Sequence, residues 1–270
     1  MARRKWLYIL PNLFTLASIL CGFYSMTLSA SGRPEALYGA ALAILFGMLL
    51  DGLDGRVARL TKTQSAFGVQ LDSLADVITF GAAPALLVWT WGLRSMGAVG
   101  ILLAWLYVAC GALRLARFNV LEMRGAKGAS AYFVGLPIPL AAGVLVSLVL
   151  AHSRAAEPSE VPAVPLAVLV GLLSYLMVSN VRYRTFKQLR LSRRNAAILA
   201  FLLTTFAALA IRIRASVALV VIASLYVVLG LVEEVIFFRR RREERLLARA
   251  ARAAGDGTTV VDEDDEDGAA

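Results

Sequence analysis

Four aspartates, Asp51, Asp54, Asp72 and Asp76, stand inside sequence apolar enough to cross a bilayer, and that combination leaves few folds open. In hydrocarbon a backbone must satisfy its own hydrogen bonds, so apolar stretches of about 20 residues cross as helices. A charge at the centre of such a helix costs at least ~2.5 kcal/mol, so these acids are expected to pair, face water or bind something. Their spacing gives them direction. Residues 51, 54, 55, 58 and 59 follow the i, i+3, i+4, i+7, i+8 of one helical face, and Ser65, Gly68, Asp72 and Asp76 follow the i, i+3, i+7, i+11 of another. Two polar stripes on neighbouring helices are thus predicted to face each other across one cleft.

The rest of the chain agrees with a membrane setting. With 59% hydrophobic residues and a mean hydropathy of +0.70, it reads as an all-α polytopic membrane helix bundle. Eight spans are predicted, over Trp6–Leu28, Ala36–Leu60, Phe67–Gly92, Met96–Leu115, Tyr132–Leu150, Val161–Val178, Asn195–Ile211 and Ala215–Phe238. The first is long and is followed by no small-residue cleavage site, so it is expected to stay as a span. Pro84 is expected to kink the third span, and Pro137 and Pro139 the fifth, with neighbours satisfying the freed carbonyls. If the amino terminus is inside, 23 of the 28 lysines and arginines fall on the inner side. That bias predicts both termini, and the junction carrying the aspartates, at the cytoplasmic face.

The acidic set has the chemistry of a hard-cation site. Four carboxylates balance two divalent ions such as Mg²⁺ or Mn²⁺, and two ions ~3.5–4 Å apart form the clamp used for displacement at phosphorus. Gly55 and Ala58 lack bulk and let a ligand approach the backbone, while Arg59 brings a planar cation suited to phosphate. The same acids would also line a cation or proton pathway. A transporter, however, has no need of Gly55, Ala58, Arg59 and Gly68 at these positions.

From Asp51 to Asp76 the chain resembles, at every fixed position, the signature of the CDP-alcohol phosphotransferases, D-x-x-D-G-x-x-A-R-x₈-G-x-x-x-D-x-x-x-D. The resemblance implies a six-helix core over about residues 1–180, followed by a basic loop with two further spans (181–238) and a terminal tail (239–270). It implies Asp51, Asp54, Asp72 and Asp76 as ligands of two divalent cations, with Asp76 also the catalytic base. Gly55, Ala58, Arg59, Ser65 and Gly68, together with Asn12 and Thr15, would contact CDP-diacylglycerol. Other stretches look like the phosphatidylserine synthase branch: 11–15, 72–76 followed by 80–84, 114–119 and 135–139. They favour L-serine as acceptor, with release of CMP; phosphatidylglycerophosphate synthase, or transfer to another alcohol, is the alternative.

Serine carries a carboxylate, which suits a guanidinium, so Arg114, Arg117 and Asn119 are candidate serine contacts; the bland alternatives are positive-inside anchoring and helix capping. The phospholipase D-like route to the same lipid uses paired His-x-Lys motifs and is excluded by the single histidine, His152, expected in a solvated loop. Cys21 and Cys110 lack metal-ligand spacing and are expected to pack in spans. The net charge of +9 follows from the inner loops and anionic lipid, with no nucleic acid needed. Residues 239–252 form a basic stretch suited to a lipid surface, and the acidic run 262–267 predicts a disordered end. By resemblance the protein would be a homodimer in a bacterial inner membrane.

Overall fold

A computed structural model of the chain describes residues 2–123, 132–153, 161–179 and 181–184. The predicted seventh and eighth spans, most of the basic loop and the whole tail lie outside the described residues. Within them the fold is a bundle of apolar helices: α1 (Ala2–Ala30), α2 (Pro34–Leu60), α3 (Ala66–Asp76) continuing through α4 (Ala83–Val88), α5 (Ala98–Met123), α6 (Ile138–Ser153) and α7 (Ala163–Val178). Four passes are long and apolar enough to cross a membrane, the third running unbroken over Ala66–Met96. α6 and α7, 16 residues each, reach only about 24 Å. The protein is an integral membrane protein.

The exterior confirms the solvent. Leu13, Leu16, Leu20 and Phe23 on α1, Phe46 and Leu49 on α2, and Ile101, Leu102 and Trp105 on α5 are all exposed, which suits contact with acyl chains. The interior instead depends on small residues and hydroxyls. Ala40, Ala41, Ala83, Ala141 and Ala142 are fully buried, and such side chains let helices approach closely. Thr79 forms one close junction between α1, α2 and the third pass. Its Oγ1 donates to the Ser18 carbonyl at 3.0 Å, and Ser18 Oγ donates to the Gly47 carbonyl at 3.2 Å. A Cβ on Gly47 would lie 2.7 Å from Thr79 Cγ2. Gly47→Val is therefore expected to force α2 off this junction and cost about 1–3 kcal/mol, read as a lower thermal unfolding midpoint in detergent.

Several expectations are corrected. On either side of Pro84 the helix widens into π-helical turns, at Val77–Ala82 and again at Trp89–Leu93. A proline at 84 has no N–H for the carbonyl four residues back, and that carbonyl, of Phe80, instead accepts the buried Tyr107 hydroxyl at 3.3 Å. The fifth span does not begin at Tyr132. Residues Tyr132–Val134 form a short strand β1, antiparallel to β2 (Arg182–Arg184), and α6 starts at Ile138. Gly135, at φ 81°, and Pro137 stop a helix from forming earlier, because one takes a left-handed backbone and the other excludes helix before it. Pro137 and Pro139 thus sit at a helix start and kink nothing. The fourth span also runs on past Leu115 to Met123, since the loss of hydropathy at Arg114 and Arg117 marks a polar environment and not the end of hydrogen bonding. His152 lies in the last turn of α6, its ring edge-on to Trp91 at 5.4 Å. Cys21 and Cys110 are free and half-buried, as expected.

Candidate active site

The site is built around the turn between α2 and α3. α2 closes with Lys62 in a left-handed conformation, φ 55°, while Thr63 N donates to Ala58 O at 3.0 Å and Lys62 N to Arg59 O at 3.3 Å. This pair of bonds is a Schellman closure, held by Thr61 Oγ1 donating to the Val57 carbonyl at 2.7 Å. Ser65 then caps α3, its Oγ accepting from Gly68 N at 3.0 Å. The eight-residue gap of the motif is thus one helix stop, one turn and one helix start.

So short a turn sets the aspartates level. Asp54 lies six residues before the end of α2, and Asp72 six after the start of α3, so both stand about 9 Å along their helices from the turn. Asp51 and Asp76 face each other about one turn deeper. One carboxylate oxygen from each of Asp51, Asp54 and Asp72 lies within 4.8 Å of the other two. Asp76 is not part of that tight trio among the described residues, but its carboxylate is an electrostatic neighbour of Asp51, Asp72 and the Arg114 guanidinium.

Three like charges this close, two of them on largely desolvated groups, call for a counter-charge. Asp54 is 6% exposed, and Asp51 Oδ1 is buried without a hydrogen-bond partner, a defect that native interiors rarely leave. The donor set is all carboxylate oxygen, which fits a hard divalent cation.

Beside the trio opens a cleft of about 340 Å³. Asn12, Thr15, Gly55, Ala58, Ser65 and Gly68, all singled out in the sequence, line it together with Asp54 and Asp72. A Cβ on Gly55 would meet nothing within 4 Å, so packing does not require glycine there and the free space belongs to the cleft. Gly68 is closer: a Cβ would come 3.2 Å from Ser65 Oγ and 3.5 Å from Asn12 Oδ1. Arg59 is not on the cleft wall; its Nε donates to the Gly55 carbonyl at 2.9 Å. Pro11, Thr63, Gln64, Ala66 and Val69 also line the cleft. Most of them fall in the unspecified gap of the motif, where only its length is a signal.

The three candidate serine contacts separate in space. Arg114 is 8% exposed, beside Asp76 and 5.9 Å from the Phe118 ring. Arg117 is exposed, and its Nη1 reaches the Val178 carbonyl at 3.5 Å, the end of α7. Asn119 Nδ2 donates to Ser73 Oγ at 2.9 Å, tying α5 to the segment between Asp72 and Asp76. Ser73 was not singled out as a site residue, and nothing in its local pattern predicts this bond.

A family profile described as CDP-alcohol phosphatidyltransferase matches residues 8–178. The chain belongs to this family. Within it, the chain is 38% identical over 228 residues to a CDP-diacylglycerol–serine O-phosphatidyltransferase of Helicobacter pylori, covering 84% of this chain and 91% of that protein. Proteins of the same description from Mycobacterium tuberculosis, 35% identical over 207 residues (76% and 71% covered), and from Bacillus subtilis, 34% identical over 181 residues (66% and 92% covered), are similar as well. The matched region contains the four motif aspartates and all the described helices from residue 8 onward.

Proposed function

We propose that the protein transfers the phosphatidyl group of CDP-diacylglycerol to the hydroxyl of L-serine, forming phosphatidylserine and releasing CMP. The observation that carries this reading is the length of the likeness to relatives described by that activity, with all four motif aspartates present, Asp54 and Asp72 lining one cleft and Asp51 clustered with them. Asp51, Asp54 and Asp72, with Asp76 completing the set from one turn deeper, would hold two divalent cations, Mg²⁺ or Mn²⁺. When bound, these supply charge neutralisation of the pyrophosphate and polarisation of its phosphoryl oxygens.

The residues divide the remaining work. Asn12, Ser65, Gly68, Gly55 and Ala58 form the wall that receives the CDP part, and Arg59, one turn beyond Gly55 at the exposed rim, offers its cation to the phosphates. Asp76 takes the proton of the serine hydroxyl. A bond forms between the serine oxygen and the β-phosphorus, the bond from that phosphorus to the bridging oxygen breaks, and CMP departs with the electron pair. Arg114, buried beside Asp76, is the contact best placed for the serine carboxylate. Arg117 and Asn119 border that side while also tying α5 to α7 and α3.

The charge bias of the loops supports a bacterial inner membrane, with the site and both termini on the cytoplasmic side. The family profile ends at residue 178, which supports residues 1–180 as the catalytic core; 181–238 as a basic loop with two added spans and 239–270 as a tail rest on hydropathy and charge alone. The homodimer rests on resemblance to the family.

The deciding experiment is CMP release by the purified protein with CDP-diacylglycerol and Mn²⁺ or Mg²⁺, offering L-serine, glycerol 3-phosphate, inositol phosphate or no acceptor. Release that depends on serine is the expected result. Dependence on glycerol 3-phosphate would move the protein to the phosphatidylglycerophosphate synthases, and no metal-dependent release with any acceptor would sink the enzymatic reading.

A further inference from the structure

We propose that Thr15 is a positioning residue for the metal ligand Asp54, and that its hydroxyl proton serves the metal site, not the nucleotide. Thr15 and Asp54 are both buried, at 4% and 6% exposure. Thr15 Oγ1 lies 2.7 Å from Asp54 Oδ2 and 3.2 Å from the Pro11 carbonyl of its own helix. One hydroxyl has one proton. A threonine within a helix ordinarily returns that proton to a carbonyl one turn back, but the charged oxygen is both nearer and the stronger acceptor.

The geometry has a consequence for the carboxylate. With Oδ2 held from α1, rotation of Asp54 about its last side-chain torsion is restrained, which favours the orientation that places a carboxylate oxygen near those of Asp51 and Asp72. Such outer partners of ligating carboxylates govern metal affinity by about 10–100-fold. α1 carries no aspartate of the motif, yet through Thr15 it takes part in the metal centre. Thr15 also touches the cleft, so a nucleotide role is the rival to be separated.

The inference rests on the reading that the three aspartates hold divalent cations, and the test distinguishes the two. Thermal unfolding of the full chain in detergent is followed during Mn²⁺ titration without substrate, for wild type, Thr15→Val, Thr15→Ala and Thr15→Ser. The Mn²⁺ concentration giving half of the thermal shift is expected to rise ~10–100-fold in Thr15→Val and Thr15→Ala. Thr15→Ser, which keeps the hydroxyl, should stay near wild type. CMP binding at saturating Mn²⁺ should be little changed in all variants. Unchanged Mn²⁺ midpoints in the valine and alanine variants, with weaker CMP binding, would overturn the proposal and return Thr15 to the nucleotide. No Mn²⁺ shift in the wild type would overturn the metal reading itself, and this inference with it.

Discussion

Asp76→Asn is expected to reduce serine-dependent CMP release by ~10²–10⁴-fold, the range of a general base removed from a proton-transfer step. Asparagine keeps the shape of the side chain but replaces one acceptor oxygen with an NH₂ donor and cannot take a proton at neutral pH. The four motif aspartates are not equivalent in space: the oxygens of Asp51, Asp54 and Asp72 cluster within 4.8 Å, while Asp76, one turn deeper, neighbours Asp51 and Asp72 and also Arg114. Activity should therefore fall by more than the Mn²⁺ midpoint of the thermal shift moves, because Asp76 completes a ligand set whose tight part is the trio. A midpoint displaced as far as in a variant of the trio would make Asp76 a ligand first, and some other group would have to take the proton. Steady-state rates and the metal titration on the same preparation separate the two outcomes.

The second large effect concerns the trio and carries an unusual sign. Asp51→Asn is expected to lower activity by ~10²–10³-fold or more, on the scale of losing electrostatic stabilisation of a charged transition state. In metal-free buffer, however, the same substitution should raise thermal stability. Asp51 Oδ1 is buried without a partner and lies against two other carboxylates, so the native residue brings like-charge repulsion and an unsatisfied buried atom to the fold. Adding Mn²⁺ should reverse the order. A ligand at 100 times its Kd stabilises the native state by about 2.7 kcal/mol, and the wild type should gain this while Asp51→Asn gains much less. Crossing melting curves, measured with and without Mn²⁺, are the expected signature. A variant less stable than wild type in both buffers would mean that Asp51 acts structurally, and would count against a metal site here.

Both predictions follow the pattern in which a functional site stores an electrostatic cost that bound ligand removes. The rest of the bundle is built to tolerate it. Thr79 locks α1, α2 and the turn after Asp76 through Ser18 and Gly47, and Asn119 ties Ser73 to α5. The carboxylates are therefore held from several helices at once, and their repulsion cannot simply push two helices apart.

How much of this was legible beforehand depended on how local each property was. The membrane class, most of the helical passes and the facing of the two aspartate stripes follow from hydropathy and helical period, which are properties of a single segment and its solvent. So does the likeness to the family, since the motif is contiguous. Six of the seven residues expected on the nucleotide side do line the cleft: for Gly55, Ala58, Ser65 and Gly68 a short turn leaves α2 and α3 little choice in how they face, while Asn12 and Thr15 come from α1. Arg59 does not, because an exposed side chain settles on its own carbonyl at Gly55.

Tertiary structure alone decided the rest. That Asp76 lies outside the tight trio with Arg114 among its charge neighbours, that Arg117 ends at α7, and that Thr15 turns its proton to Asp54 all depend on distances between helices remote in sequence. The widening on either side of Pro84 and the Tyr107 bond to the Phe80 carbonyl belong to the same class, as do β1 and β2, whose register runs from Tyr132 with Arg184 to Val134 with Arg182. A pattern along one helix states which face is polar. Which atom on another helix receives each proton is set only when the helices pack.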